Sequence, residues 1–148
     1  MKTWPPFDER GDLPVGIHQS PLSDVIQHFG RSTFQRSVLA RRLERIYDLA
    51  NSTSHLARFV IFGSFITAKL EPNDVDIFLL IDDSFDVQQV APDRRVVFDH
   101  QAAQNQLGAS IFWIRRAAAP GGEAATITHW QIKREGTRRG IVEVITHD

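Results

Sequence analysis

Two apolar runs joined by a short polar turn, between Phe59 and Ile81, constrain the fold of this chain most. The stretch reads FVIFGSFITAKLEPNDVDIFLLI, and its two ends predict a pair of core strands. Side chains at alternate positions of a strand share one face. Asp74 and Asp76 are therefore predicted to lie close together where the second strand begins.

Two carboxylates at that position predict a divalent metal site. Like charges repel each other, and carboxylates beside the apolar run 77–81 are costly unless a cation neutralises them. Oxygen ligands at the end of a strand suit Mg²⁺ or Mn²⁺. We therefore assign Asp74 and Asp76 as candidate metal ligands and candidate catalytic residues.

Gly63 and Ser64 stand where the first strand is expected to run into one or two helical turns. Backbone N–H groups and the positive end of a helix dipole can face an anion there. Gly63 has no Cβ to block a phosphate, and Ser64 adds a hydroxyl donor. Taken singly, each residue also has a structural explanation, as a turn or as a helix cap. A phosphate cradle followed by two metal-binding carboxylates favours phosphoryl or nucleotidyl transfer.

The combination of Gly63-Ser64, a short spacer and Asp74-x-Asp76 resembles the core motif of the DNA polymerase β-like nucleotidyltransferase superfamily. The longer pattern Gly-Ser-Phe-Ile-Thr-x-Lys-x-Glu-Pro-x-Asp-Val-Asp is similar to that of small bacterial nucleotidyltransferase-like proteins. The segments 13–18 and 134–142 extend the resemblance over nearly the whole chain.

This resemblance implies a single nucleotidyltransferase-like domain over residues 1–148. Gly63, Ser64 and Lys69 would bind the phosphates of a nucleoside triphosphate, with ATP the expected one, and Asp74 and Asp76 would hold Mg²⁺ or Mn²⁺. The nucleotide would be transferred to a hydroxyl of a partner protein or of RNA. Minimal members of the superfamily sit in toxin–antitoxin and phage-defence pairs, so a cognate toxin or tRNA is an expected partner.

One position departs from the superfamily pattern. A third carboxylate is expected on a later core strand, near Ser110, and serine brings neither a charge for a metal nor a ready general base. Glu143 on the last strand and Asp99 before a helix are the candidate substitutes, although Asp99 also reads as a helix cap. The alternative function is a catalytically impaired nucleotidyltransferase-like binding module that acts as an antitoxin or a scaffold.

The remaining sequence predicts an α/β (α+β) fold, with a mixed, twisted sheet of four or five strands and helices mainly on one face. The expected elements are listed in chain order: an extended arm over 1–16, a short helix from Ser20 or Ser23 to Gly30, a long helix from Ser32 to about Ala50, strands over 58–62, 95–98 and 110–114, helices over 100–107 and 123–131, and a final strand over 140–145. The long helix carries Arg31, Arg36, Arg41, Arg42 and Arg45 on a face expected to be solvated or to bind nucleic acid or an acidic partner.

Composition excludes several kinds of site and of binding partner. The chain has no cysteine, which excludes disulfides and thiolate metal sites, and a net charge of −1, which gives no general attraction to nucleic acid. No apolar run reaches the length of a membrane span, and the first residues are too polar for a secretory signal. We therefore expect a cytoplasmic protein without a membrane partner.

Overall fold

A five-stranded mixed sheet forms the centre of the computed structural model, which describes residues 2–145. The strands are β1 (Ile17–Pro21), β2 (Leu56–Phe62), β3 (Val75–Ile81), β4 (Ala109–Arg115) and β5 (Ile141–Ile145). The helices of the described residues are α1 (Leu22–Phe29), α2 (Phe34–Asn51), α3 (His100–Leu107) and α4 (Glu123–His129). The predicted α/β class with a mixed sheet is confirmed.

The strand order β1-β5-β2-β3-β4 brings several strand ends to one edge of the sheet. β2 is antiparallel to both β3 and β5, whereas β3 is parallel to β4 and β1 is parallel to β5. The end of β2 therefore lies beside the starts of β3, β4 and β5. Residues far apart in sequence meet at this edge.

The larger hydrophobic cluster lies between the sheet and the helices α1, α2 and α3. Alternate strand residues such as Phe59, Ile61, Ile77 and Leu79 point into it and are almost fully buried. A smaller cluster, which includes Val60, Phe78 and Ile127, covers part of the opposite face under α4. The prediction that the helices lie mainly on one face is confirmed.

Four local predictions differ from the structure. The segment 95–98 belongs to a 3-10 helix, Pro92–Phe98, and is not a strand. Ser20 lies in the unpredicted strand β1, and Thr33, not Ser32, caps α2 through its side chain. The helix expected after Gly63 is only the 3-10 turn Ser64–Ile66, too short to carry a helix dipole.

Arg36 is the largest departure from the amphipathic pattern of α2. Its side chain is not on the solvated face, because the residue is only 3% exposed, whereas the apolar residue Phe34 of the same helix is 84% exposed. The Arg36 guanidinium donates to backbone carbonyls within the segment 64–69 and to that of Phe29. Arginine at this position is therefore a structural residue.

Residues 2–16 form neither helix nor strand, as predicted for an extended arm. The arm packs across the domain, because Leu13 is fully buried and its carbonyl accepts a hydrogen bond from the Gly140 N–H at 2.9 Å. In the described part of the chain no helix has the length and apolar character needed to cross a membrane. Met1 and residues 146–148, which the predicted single domain includes, lie outside the described residues.

Candidate functional site

Asp74 and Asp76 lie at the sheet edge where the strand ends meet. Asp74 comes just before β3, and the parallel register of β3 and β4 places Asp76 opposite Ser110. The Ser110 hydroxyl donates to Asp74 Oδ2 at 3.1 Å, and Gln104 Nε2 donates to Ser110 Oγ at 3.4 Å. Asp74 and Ser110 both influence the pKa of Asp76, Asp74 by raising it and Ser110 by lowering it. The two predicted carboxylates therefore share one site, and Ser110 belongs to it.

The charge of Asp76 is poorly compensated. Burial raises the pKa of Asp76 to about 6, and the charge of Asp74 adds to the rise, while the charge of Arg139 opposes it. None of the salt bridges among residues 2–145 involves Asp74 or Asp76. At neutral pH Asp76 is ionised, so the site favours a bound cation.

The donor set fits a hard divalent ion bound jointly with a phosphate ligand. Carboxylate and hydroxyl oxygens are the ligand types that Mg²⁺ and Mn²⁺ take, and Mg²⁺ commonly uses one or two carboxylates together with substrate phosphates. Across residues 2–145 no group of three or more His, Cys, Asp or Glu side chains is placed to hold a metal ion. Asp74 and Asp76 would therefore supply the protein ligands, and phosphate and water oxygens the remainder.

Gly63 is required by the carboxylate beside it. Its φ of +81° lies in the region that favours glycine, and a Cβ built on it would overlap the carboxyl group of Asp76. The glycine thus lets the end of β2 approach the acidic strand. The sequence predicted that Gly63 leaves room for a phosphate. In the structure the group beside Gly63 is the carboxylate of Asp76.

Arg36 fixes the segment that follows Gly63. Its guanidinium donates to the carbonyls of Phe65 and Thr67, each at 2.6 Å, and Nε donates to that of Lys69 at 3.0 Å. The Ser64 carbonyl accepts from the Thr67 hydroxyl at 2.7 Å. A buried guanidinium held by carbonyl dipoles keeps this segment in one conformation, since each donor would be costly to leave unpaired.

A cleft of about 430 Å³ opens beside Asp76. Its cationic wall is formed by Lys133, Arg134 and Arg139, from the segment that leads into β5. Asp12 of the N-terminal arm holds two of them, with Oδ2 at 3.2 Å from Lys133 Nζ and Oδ1 at 3.4 Å from Arg139. This cleft, named here the charged cleft, presents the Asp76 carboxylate and three basic side chains to a ligand, and Asp74 is hydrogen-bonded to Ser110 of its wall.

The segment before β5 has four basic residues, Lys133, Arg134, Arg138 and Arg139, a pattern that is typical either of a phosphate site or of an ordinary solvated loop. The structure favours the first interpretation for three of its members, because they line the charged cleft. These basic residues could have been assigned to the site if the antiparallel pairing of β2 with β5 had been known, because that pairing puts the start of β5 beside the end of β2. The aromatic residues of the cleft, Phe62, Phe112 and Trp130, were not predicted as site residues.

Five predicted candidates are not among the residues that line the charged cleft: Asp74, Ser64, Lys69, Asp99 and Glu143. Lys69 is exposed and is not among the residues that line it. The Asp99 side chain accepts from the Ala102 N–H at 3.0 Å as the cap of α3. His100, the residue that follows Asp99, does line the cleft.

Glu143 is neutralised by an ion pair and is 6% exposed. Arg58 donates through Nε to Glu143 Oε2 at 2.7 Å and through a second nitrogen to Oε1 at 2.8 Å. Burial favours a raised pKa for Glu143, but the hydrogen bonds from Arg58 and Gln19 outweigh it, and the pKa is lowered. Glu143 is committed to Arg58 and does not serve as the third carboxylate of the site.

A serine, a histidine and an aspartate also meet at the opposite edge of the sheet. His55 Nδ1 lies 3.4 Å from Ser84 Oγ and 3.6 Å from Asp82 Oδ2. A hydrolytic triad uses both ring nitrogens, one toward the serine and one toward the carboxylate. Because both partners share one nitrogen here, this group is not arranged as a triad.

Comparison with known families gives one match, to the family of unknown function DUF6932, over residues 5–145. The chain belongs to this family. No curated protein and no solved structure was found to match it. The region shared with DUF6932 runs from the N-terminal arm to the last described strand, so it contains Asp12, Gly63, both aspartates and the basic segment.

Proposed function

We propose that this DUF6932 protein is a metal-dependent nucleotidyltransferase that transfers a nucleoside monophosphate from a nucleoside triphosphate to a hydroxyl group. The observation that carries the proposal is that Asp76, which is paired with Asp74 and has no salt-bridge partner among the described residues, lines the same cleft as the cationic wall. A metal–triphosphate complex has the charge pattern complementary to both walls. Magnesium or manganese, when bound, would neutralise phosphate charge and hold the triphosphate against the two carboxylates.

The side chains divide the work of binding between them. Asp74 and Asp76 would hold the metal, and the hydrogen bond from Ser110 orients Asp74. Lys133 and Arg139 would bind phosphate oxygens, with Asp12 fixing their positions. The segment after Gly63, held by Arg36, would present backbone N–H groups to the phosphates. Ser64 would add its hydroxyl to that binding.

The reaction we propose forms a bond between the acceptor oxygen and the α-phosphorus and breaks the bond from that phosphorus to the β-phosphate. Pyrophosphate leaves, and the acceptor hydroxyl gives up its proton. We assign the role of accepting that proton to His100, which lines the charged cleft. Its Nδ1 lies 3.1 Å from the Ile111 carbonyl, and because a carbonyl only accepts, Nδ1 carries a hydrogen and Nε2 is the nitrogen that would take the proton. This imidazole would take the role of the third carboxylate of the superfamily pattern, which is replaced by Ser110 in this chain.

The acceptor is proposed from the resemblance to minimal nucleotidyltransferases: a hydroxyl of a partner protein, such as a cognate toxin, or of RNA, such as tRNA. ATP is the expected donor nucleotide. A cytoplasmic toxin–antitoxin or defence pair is the setting that fits these partners. Three exposed arginines, Arg31 before α2 and Arg41 and Arg45 on it, offer an acidic partner a contact surface.

The second candidate is a binding module that keeps the fold and the nucleotide without catalysing transfer. Ser110 favours it, because a serine stands opposite Asp76 in the register, where the superfamily pattern places an acid. Such a module would bind its partner equally well with or without Asp76.

The experiment that separates them is labelling with α-³²P-nucleoside triphosphates and Mg²⁺ or Mn²⁺ in extract from cells that express the protein. The enzyme should label a protein or RNA from the α-phosphate and not from the γ-phosphate, which leaves in pyrophosphate. Asp76→Ala should abolish labelling, and His100→Gln should reduce it while nucleotide binding persists. Nucleotide binding without any label, with partner capture unchanged in Asp76→Ala, would favour the binding module.

A further inference from the structure

A second cavity adjoins the charged cleft on the same face of the sheet. Its volume is about 470 Å³, and its walls are mainly apolar, with Phe78, Phe112, Trp113, Ile114 and Trp130 among them. Phe112, His129 and Trp130 line both this cavity and the charged cleft. We call it the aromatic cavity. Cavities of this size and composition are typical of sites for small organic ligands.

The aromatic cavity begins one pleat away from the two carboxylates. Phe78 follows Asp76 by two residues on β3, so it lies on the same face and about 7 Å further along the strand. The Trp130 ring is 5.0 Å from that of Phe78 and 4.5 Å from that of Phe62, which pairs with Asp76 in the sheet. In a ligand whose phosphates lie at Asp76, a spacer of about the length of one sugar would bring the next group into this cavity.

Trp130 carries an unsatisfied hydrogen-bond donor. Within residues 2–145, its Nε1 is the one buried side-chain nitrogen or oxygen that has no hydrogen-bond partner. Trp113 also lines the aromatic cavity, but its Nε1 donates to the Phe98 carbonyl at 2.9 Å. A buried N–H without an acceptor is costly, so a ligand in the aromatic cavity whose acceptor reaches this donor would gain affinity.

We propose that the aromatic cavity binds the base of the nucleotide whose phosphates occupy the charged cleft, and that the Trp130 indole N–H donates a hydrogen bond to that base. The inference rests on the proposed function and names the part of the substrate that the second cavity takes. Bases stack on aromatic rings through their π faces, and every base offers acceptor atoms at its edge. Phe112, which is 40% exposed, lies where the two cavities join and would cover the sugar or the base.

The test compares each of the four ribonucleoside triphosphates with inorganic tripolyphosphate, by calorimetric titration in Mg²⁺. Tripolyphosphate carries the phosphates without a base, so the difference in affinity isolates the aromatic cavity. Ala125 lines the cavity from α4, and Ala125→Phe should fill it. Ala124→Phe is the matched control, because Ala124 is exposed on the same helix and does not line the cavity.

The proposal expects at least one nucleoside triphosphate to bind wild type about tenfold more tightly than tripolyphosphate. Ala125→Phe should remove that difference and leave tripolyphosphate affinity unchanged, whereas Ala124→Phe should change neither. Trp130→Phe keeps a ring and loses the donor, and should weaken nucleotide binding about fivefold.

Two results would overturn the inference and leave the proposed function standing. The first is equal binding of tripolyphosphate and all four nucleotides to wild type. The second is a difference that survives Ala125→Phe. An unaltered nucleotide affinity in Trp130→Phe would overturn the proposed hydrogen bond. Failure of wild type to bind both tripolyphosphate and the nucleotides would overturn the proposed function together with the inference.

Discussion

Glu143 and Asp76 are acids on the same face of one sheet, and the structure treats them in opposite ways. In the strand register Glu143 pairs with Val60, and Asp76 pairs with Phe62, two residues further along β2. Glu143 receives two hydrogen bonds from Arg58, whereas Asp76 faces the like charge of Asp74. A carboxylate that is neutralised within the fold helps to hold the fold together, and few of its hydrogen-bonding positions remain for a ligand. A carboxylate left uncompensated lowers stability and is available to bind a cation.

The largest effect is expected from breaking the neutralised pair. Arg58→Met should destabilise the protein by about 3–5 kcal/mol, because it leaves Glu143 buried without its guanidinium partner. Urea unfolding at pH 7.5 measures the change. The double variant Arg58→Met/Glu143→Leu should recover most of the loss, since it removes the unpaired charge as well. A loss below about 1 kcal/mol in the single variant would show that the ion pair is not needed to neutralise Glu143.

A smaller loss is expected at the uncompensated site when a methyl group is added to Gly63. Gly63→Ala should cost about 2–3 kcal/mol, from a strained φ and from overlap with the Asp76 carboxyl group. In a double-mutant cycle with Asp76→Ala, the cost should fall to about 1 kcal/mol, which is the backbone contribution alone. Additive losses would contradict the contact between Gly63 and Asp76.

Neutralising Asp76 should stabilise the protein when no metal or nucleotide is present. The pKa of Asp76 is raised from 3.8 to about 6, so the folded state binds more protons than the unfolded state between these values. The contribution of Asp76 to the stability of the wild type should therefore fall as the pH rises from about 4 to above 6. Asp76→Asn should be more stable at pH 8 by on the order of 1–2 kcal/mol and equal to wild type below about pH 4. Thermal unfolding in EDTA across this range measures the difference, and a less stable variant at pH 8 would contradict the account.

The smallest effect is expected at Asp99, the acid that serves as a helix cap. Asp99→Ala should destabilise the protein by about 1 kcal/mol through loss of the bond to the Ala102 N–H, and Asp99→Asn should restore most of it. Nucleotide affinity should not change in either variant. A loss of nucleotide binding in Asp99→Asn would place this acid in the site after all.

The sequence predicted those features that depend on local periodicity. Alternation on β3 put Asp74 and Asp76 together, and the apolar run of β4 brought Ser110 opposite Asp76. The cap at Asp99, which was predicted, and the left-handed Gly108 after α3 both follow from residue chemistry that acts over a few positions. The resemblance to nucleotidyltransferases required only this local pattern.

Features that depend on strand order were not predicted. The basic residues Lys133 and Arg139 join the site because β5 inserts between β1 and β2, and no local signal encodes that position. Arg36 is buried because carbonyls of the segment 64–69 converge on it, whereas the helical pattern alone places it among solvated arginines. The run Val96–Phe98 is apolar enough for a strand, yet Pro92 begins a 3-10 helix that includes it.

The central claim is that Asp74 and Asp76 hold a metal–triphosphate complex. Thermal unfolding with each nucleoside triphosphate, with and without Mg²⁺ or Mn²⁺, tests it most directly in wild type and in the double variant Asp74→Asn/Asp76→Asn. Asp82→Asn is the matched control, because Asp82 directly follows β3 at the opposite edge of the sheet. A ligand at about a hundred times its dissociation constant should stabilise wild type and the control by roughly 2.7 kcal/mol, only with metal present, and should leave the double variant unchanged. Equal stabilisation of all three proteins, or of none, would contradict the claim.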